Sequence, residues 1–378
     1  MYHDDHCMPQ MFRAVARNEG FVMPVNALIV NFSGLGDGLI EIPLLKNMEA
    51  VAPYLRYYHT GGVMFTEREF TKALDLSACL DIVPATWRKF DKSDWSDIAA
   101  FIEAHKIELI INFRNLGPDY DMGFFAFKEN GARNVEYLNY DFDCRAEPTN
   151  IRNQMRDLLN RKRIVDNSVN WLSLRRGLSR ASPVMATQVG INMHSGSRFK
   201  LWPYEKWRAF CCELLTDGEA LKVFPGFTDA EVNLSVRLVK DLENHRRGRT
   251  MLIKGTGLGE VLGELADTKC LVSADSWPLH AAAGLGVKAI GLYIVTSPVT
   301  WGVGSDSCVP VESAHLKGCE KFDAKLGFCR NGYVECPLIK REGDGIEIVD
   351  VLRAGEWCDV PSDAKVIPPV GKRRSGEA

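Results

Sequence analysis

Short continuous apolar runs alternate with segments whose apolar residues return at helical spacing, and the rhythm runs twice along the chain. In the first pass Ala27–Val30 is a strand run, followed by a helix pattern over Leu39–Val51 and a short strand around Leu55–Tyr58. A helical stretch near Arg68–Leu76, a strand at Leu80–Val83, an amphipathic helix at Trp95–His105 and the strongly apolar Ile107–Asn112 complete it. Strands alternating with helices of this length predict parallel βαβ units. Residues 151–180 are polar, basic and helix-like. Ala181–Thr187 contains Ser182-Pro183, which marks a junction.

The second pass opens with Val189–Met193 as a strand and Pro203–Leu215 as a helix. It continues with Ala220–Phe224 (strand), Asp229–Leu242 (helix), Thr250–Ile253 (strand), Leu258–Leu265 (helix), Cys270–Ser273 (strand), His280–Leu285 (helix) and Val287–Tyr293 (strand). The fold class expected is therefore α/β, with two Rossmann-like lobes facing a cleft. An N-terminal extension covers 1–24, the first lobe 25–180, a linker 181–188, the second lobe 189–345, and a C-terminal segment and tail 346–378. Two doubly wound domains bring the carboxyl ends of their strands to a shared crevice, where ligands bind in this architecture.

Composition narrows the class without naming a chemistry. The chain has 378 residues, long enough for two cores, with 46% hydrophobic and 25% charged residues and a formal net charge of -3. That balance implies no nucleic-acid partner. Short basic runs such as Arg161–Arg163 and His245–Arg249 read as solvated surface. No apolar segment is long enough to span a bilayer, and His3, Asp4, Asp5, His6 and Cys7 stand where a signal peptide would have a basic start and an apolar stretch. A cytoplasmic protein is expected, with peripheral membrane contact and oligomeric state left open. Among the eleven cysteines, Cys79, Cys211, Cys212 and Cys270 lie in apolar runs and read as reduced core residues. Cys308, Cys319, Cys329, Cys336 and Cys358 crowd the last part of the chain without a Cys-x2-Cys pair, and no metal ligands are assigned among them.

Candidate chemistry falls in the turns that follow strands. Gly34-Leu-Gly36-Asp37-Gly38 follows the first strand and places one carboxylate in a glycine-rich turn, where a general base would sit; many α/β proteins have such a turn without a catalytic role. His194-Ser195-Gly196-Ser197, with Arg198 and Lys200 beyond it, offers hydroxyls, backbone N–H groups and cations suited to a phosphate or diphosphate, or else a capped helix with surface charges. Asp275-Ser276-Trp277-Pro278-Leu279-His280 reads as an N-cap with an early proline, or as a helix N-terminus aimed at an anion with His280 one turn on. Phe224-Pro-Gly226-Phe-Thr-Asp229 is a turn that suits a nucleobase or ribose, and Thr296-Ser-Pro298 with Thr300-Trp301-Gly302 supplies hydroxyls and an indole.

In this order and spacing the motifs resemble glycosyltransferase family 9, the ADP-heptose:lipopolysaccharide heptosyltransferases, over roughly residues 26–305. The resemblance rests on Gly34-Leu-Gly36-Asp37, Pro43 in the next helix, Gly131-Ala-Arg133, Lys200-Leu-Trp-Pro203 with Trp207, Gly226-Phe-Thr-Asp229-Ala-Glu231, the segment 255–260, Asp275-Ser-Trp-Pro-Leu-His280 and Thr296-Ser-Pro-Val-Thr-Trp301-Gly302. It implies the type B glycosyltransferase fold, with the acceptor on the N-terminal lobe and a nucleotide-sugar donor on the C-terminal lobe. Asp37 would be the base, flanked by Gly36 and Gly38. Ser195, Gly196, Ser197, Lys200, Gly226, Asp229, Asp275, Ser276, Trp277, His280 and Thr296 would serve the donor, with no cofactor and no required metal. Arg114, with Lys128 and Arg133, is a candidate on the acceptor side.

The function so implied is inverting transfer of a sugar, a heptose from ADP-heptose being one candidate, to a hydroxyl of a saccharide or glycoconjugate. A binding or regulatory protein that has lost turnover, and a sugar-nucleotide epimerase or hydrolase on the same fold, are the alternatives. One departure bears on this choice: Trp277 replaces the glycine of the family's Asp-Ser-Gly-Pro pattern. Some related protein heptosyltransferases carry a cysteine-bound metal finger near the C-terminus, but the spacing over 308–345 does not match it.

Overall fold

The computed structural model describes residues 25–30, 35–59, 80–82, 95–113, 135–139, 150–169, 188–245, 249–254, 257–303, 308–314, 316, 322–323, 328–329 and 345–356. Two separate parallel sheets form. The N-terminal sheet contains β1 (Val25–Val30), β2 (Leu55–His59), β3 (Leu80–Ile82), β4 (Ile107–Asn112) and β5 (Glu136–Asn139) in the order β3-β2-β1-β4-β5. The C-terminal sheet contains β6 (Gln188–Asn192), β7 (Ala220–Val223), β8 (Thr250–Leu252), β9 (Cys270–Ala274), β10 (Lys288–Tyr293) and β11 (Cys308–Glu312) in the order β11-β10-β9-β6-β7-β8. Both orders run outward from a first strand and then reverse, so each sheet has a switch point: between β1 and β4, and between β6 and β9.

The continuous apolar runs are strands because helices cover both sheet faces. Leu28, Ile29, Leu109, Ile110 and Ile111 are fully buried, as are Val189, Ile191, Leu221 and Val223. In the first lobe α1 (Leu35–Val51) and α2 (Trp95–Ala104) flank the sheet. The second carries α4 (Tyr204–Thr216), α5 (Asp229–His245), α6 (Leu258–Ala266), α7 (Trp277–Leu285) and the short α8 (Pro298–Trp301). The strands named from the sequence match to within a residue or two, whereas the edge strands β5 and β11 were not read from it. The helical stretch expected near Arg68–Leu76 lies outside the described residues.

Two elements tie the lobes together. Every residue of α7 from Pro278 to Leu285 is buried, which fits a helix apolar on all sides. Its small residues, Ala281, Ala282 and Ala283, pack with Leu39, Ile42 and Leu45 of α1 in one apolar cluster spanning both lobes. The second tie is α3 (Ile151–Asn160). Its N-cap, Asn150, accepts from the Arg152 amide at 3.0 Å while its Nδ2 donates to the Gly302 carbonyl at 2.9 Å.

Two boundaries shift from expectation. Helix α1 begins at Leu35 rather than Leu39, so Gly36, Asp37 and Gly38 form its first turn and not a free turn before it. Residues 346–356 were expected to stand apart from the second lobe. Instead Ile346, Val351 and Leu352 belong to its core, and α9 (Ile348–Glu356) packs on α4 and β11. In the cysteine-rich segment β12 (Phe322–Asp323) pairs antiparallel with β13 (Phe328–Cys329). Cys319, Cys336 and Cys358 lie outside the described residues.

Candidate active site

Asn192 closes β6 and organises the C-terminal switch point. Buried at the end of an apolar strand, its side-chain amide donates to the His194 carbonyl (3.1 Å), Ser273 Oγ (3.0 Å) and Ser276 Oγ (2.9 Å). One amide thus joins the loop after β6 to the end of β9 and the start of α7. Ser195 adds a second link, its hydroxyl donating to the Asp275 carbonyl at 3.0 Å. Ser197 turns inward on its own chain as N-cap of the 3-10 turn Arg198–Lys200, accepting from the Phe199 amide. Gly196 between them is exposed, with open space where a side chain would be.

Charge enters through Asp275 and Lys200. The carboxylate is buried and accepts from Thr296 Oγ1 at 2.6 Å, while Lys200 Nζ stands 2.8 Å away and about a quarter exposed (27%). Burial alone would raise the Asp275 pKa. The Lys200 charge, the Lys200 hydrogen bond and the Thr296 hydroxyl outweigh it and hold the carboxyl below its usual range. An ionised Asp275 thereby fixes the Lys200 ammonium at the rim of the switch point, beside Ser195 and the first turn of α7.

That first turn carries no side-chain cap. Ser276 is the N-cap by position, but its side chain makes no capping hydrogen bond and its hydroxyl instead accepts from Asn192 Nδ2. The N-terminal N–H groups of a helix carry partial positive charge and accept anionic ligands when no side chain caps them. Pro278 supplies no donor, and the Leu279 amide is satisfied by the Ser276 carbonyl at 3.1 Å. The Trp277 indole is half-buried and lies against Phe227, with ring centroids 5.9 Å apart and planes tilted by 36°.

His280, one turn along α7, is not a cation. It is buried, and burial followed by the Arg152 charge pushes its pKa down to about 3, so it is neutral. Its Nδ1 lies 3.2 Å from Arg152 Nη2, and since a guanidinium only donates, Nδ1 is the acceptor. Arg152 is itself buried, which lowers its pKa to about 10. His280 therefore joins α3 to α7, a role closer to packing than to catalysis.

The N-terminal switch point faces this assembly. A Cβ added at Gly36 would lie 3.5 Å from His280 Cδ2 and 3.6 Å from Trp277 Cα, so the first turn of α1 abuts the first turn of α7 across the lobe boundary. Gly38 is buried beside it. Asp37 lies between them on the backbone of this turn. Its side chain, and all of Arg114, Lys128 and Arg133, lie outside the described residues.

Gly226 and Asp229 sit apart from the network. Glu231 Oε2 accepts from the Phe227 amide (2.9 Å), the Thr228 amide (3.0 Å) and Thr228 Oγ1 (3.0 Å), while Thr228 Oγ1 accepts from the Glu231 amide at 3.3 Å. This is a capping box on α5. A Cβ at Gly226 would fall 2.1 Å from that of Glu231, which accounts for the glycine by local packing. Asp229 is exposed in the first turn. His194 points into the lobe, 2.7 Å from Ser235 Oγ. Burial lowers its pKa against the opposing pull of Glu231.

Motif reading missed Asn192 and Arg152, and it placed Phe227 in a candidate turn without giving its ring a role. A polar residue ending a buried strand was the available signal for Asn192. Nothing local distinguished Arg152 within a basic helical stretch.

Residues 150–326, which include the whole C-terminal sheet, match the family model "Glycosyltransferase family 9 (heptosyltransferase)". No curated protein matches the chain by sequence. Among solved structures, the chain is similar to E. coli heptosyltransferase WaaC with ADP (TM-score 0.59, 16% identity, 88% of this chain and 100% of that one). A family 9 glycosyltransferase from Veillonella parvula is alike to the same degree (TM-score 0.59, 16%, 89% and 97%). The iron-containing dodecameric glycosyltransferase TibC from enterotoxigenic E. coli follows (TM-score 0.56, 14%, 90% and 78%). At these identities the structural likeness is one of fold, and it bears out the expected pair of Rossmann-like lobes. Among the described residues no three His, Cys, Asp or Glu side chains converge as a metal site, and no helix is long and apolar enough to cross a membrane. The family match covers a little under half of the chain and spans the donor-side motifs from Ser195 to Trp301, so it is the C-terminal lobe that resembles the family 9 glycosyltransferases.

Proposed function

We propose that the chain moves a sugar, with inversion, from a nucleotide-diphosphate donor to a hydroxyl of a saccharide or glycoconjugate. Asp37 is the general base. The observation that carries this reading is the apposition of two helix starts: the turn holding Asp37 abuts the uncapped turn of α7. Inverting transfer needs a base on one side of the reacting carbon and stabilisation of the departing diphosphate on the other. The first turn of α7, Lys200 and the Ser195–Ser197 loop supply the second requirement with positive charge and donors. A divalent metal is then not required, and turnover should survive chelation by EDTA.

ADP-heptose is the first donor to test, because the family model carries the name heptosyltransferase and one similar structure holds ADP. Purified protein is incubated with ADP-, GDP-, UDP- and dTDP-sugars without added metal, and slow donor hydrolysis and binding are followed. Selective binding and turnover of one donor, with turnover lost and binding kept in Asp37→Ala, is expected. A second reading, a donor-binding protein without turnover, is favoured by Trp277 standing where the family has glycine. Donor binding without hydrolysis or transfer would select it. Absence of all binding would contradict both.

A further inference from the structure

Phe227 is 64% exposed, the most exposed of the large apolar residues among those described, yet its position is fixed. The Glu231 carboxylate holds its backbone amide and the next one, so the ring is presented from a rigid loop. A ring held in place and exposed offers a flat apolar face on which a planar ligand can stack.

Topology gives the contact with Trp277 a location. Phe227 follows β7 and Trp277 follows β9, the two strands that flank β6. Two rings that meet from these positions bridge the carboxyl end of β6, above the loop that begins at His194 and carries Ser195 and Gly196. With centroids 5.9 Å apart the rings are too close to admit a third ring between them, which needs about twice the usual ring-stacking separation of ~3.5 Å. A planar ligand therefore stacks on the outer face of Phe227, with Trp277 backing it.

The direction of the donor selects which part of it arrives there. With the diphosphate at the first turn of α7, the transferred sugar must lie toward the first turn of α1, which meets Trp277 through Gly36 on the N-terminal side. The nucleoside then runs the other way along the sheet edge, toward β7 and Phe227. We propose that Phe227, backed by Trp277, is the stacking platform for the nucleobase of the donor. This inference rests on the donor-site reading of the C-terminal switch point. It gives the tryptophan a use in place of the family glycine: the indole fixes the ring that carries the base.

The test compares inorganic pyrophosphate with ADP, GDP, UDP and dTDP by calorimetry on the full chain and on Phe227→Ala, Phe227→Tyr and Trp277→Gly. Pyrophosphate reaches the diphosphate cradle alone, whereas a nucleoside diphosphate reaches cradle and platform. Stacking of a base on an aromatic side chain is worth roughly 1–3 kcal/mol by alanine substitution, or about 5- to 150-fold in Kd. Phe227→Ala should lose that factor for nucleoside diphosphates and keep pyrophosphate affinity, Phe227→Tyr should restore it, and Trp277→Gly should weaken nucleoside diphosphates as well. Equal nucleotide affinity in wild type and Phe227→Ala overturns the platform while leaving the donor site standing. Tighter nucleotide binding by Trp277→Gly overturns it too, making the aromatic bridge an obstruction. Failure of the wild type to bind either pyrophosphate or nucleotide removes the donor site and the platform together.

Discussion

The two lobes share one strand plan and use their switch points in opposite ways. At the C-terminal switch point Asn192, Ser195, Ser273, Asp275, Ser276, Lys200 and Thr296 are hydrogen-bonded to one another, so each side chain is held before any ligand arrives. At the N-terminal switch point the described side chains of β1 and α1 are mostly apolar, and the proposed base is a single residue, Asp37, with a glycine on either side. On the proposed function, the difference matches what each would have to stabilise. A departing diphosphate carries charge that must be met in place, and a preorganised donor set does so without reorganisation at the moment of transfer. A base needs one group at one position, with room left for the acceptor.

The comparison can be broken from either side. On the N-terminal side, Asp37→Ala should lower kcat by roughly 10²–10⁴, the usual contribution of a general base, and leave donor Kd unchanged in a calorimetric titration. A kcat within a few-fold of wild type would move the base elsewhere.

On the C-terminal side, Lys200→Ala strands a buried Asp275 with Thr296 as its remaining partner among the described residues. Removing one member of a buried pair costs about 3–5 kcal/mol, and the partial exposure of Lys200 puts this case near or below the lower figure, about 2–3 kcal/mol. Chemical denaturation of the variant measures it, and Lys200→Ala/Asp275→Asn should recover much of the loss. No recovery would mean that the two groups are not coupled.

Between the lobes, His280 gives a pH dependence of definite sign. Its folded pKa of about 3 lies below the unfolded value near 6.5, so the unfolded chain binds more protons across that window. Stability is therefore full above about pH 6.5 and declines as pH falls toward 3. Asp275 acts in the same direction but only at lower pH, because its folded pKa is depressed below the ordinary carboxylate value. Thermal midpoints measured from pH 7 to 5 should fall in the wild type and fall less in His280→Gln. Parallel curves would remove His280 as the cause. The smallest effect expected is at the capping box, where Glu231→Ala should cost about 1 kcal/mol of stability and loosen the Phe227 loop.

Much of this arrangement was legible in the residue pattern. Buried parallel strands are continuous apolar runs, so Ile107–Asn112 was read to the residue and β6, β7, β9 and β10 nearly so. The clustering of Ser195, Lys200, Asp275, Ser276 and Thr296 was legible because all lie at the carboxyl ends of β6, β9 and β10, which the α/β rhythm brings together. The start of α1 was misread because Gly36 and Gly38 are poor helix formers. Contact with Trp277 and His280 across the lobe boundary stabilises a turn that local propensity disfavours. Arg152 and Phe227 acquire their roles only through partners more than 40 residues away, His280 and Trp277, and local sequence cannot express such pairings. At Gly226 and Asp229 the Thr228/Glu231 capping box and the close Glu231 Cβ account for the residue types by local packing, and neither side chain joins the network around Asn192.

The most direct test of the account is a calorimetric titration of ADP and ADP-heptose, without added metal, into wild type, Lys200→Ala and Asp37→Ala. The donor-site assignment predicts binding to wild type, a loss of at least about tenfold in Lys200→Ala, the factor that one charge-assisted hydrogen bond to a phosphate contributes, and unchanged binding in Asp37→Ala. Undiminished binding in Lys200→Ala would contradict it, because the diphosphate would then lie somewhere other than the C-terminal switch point.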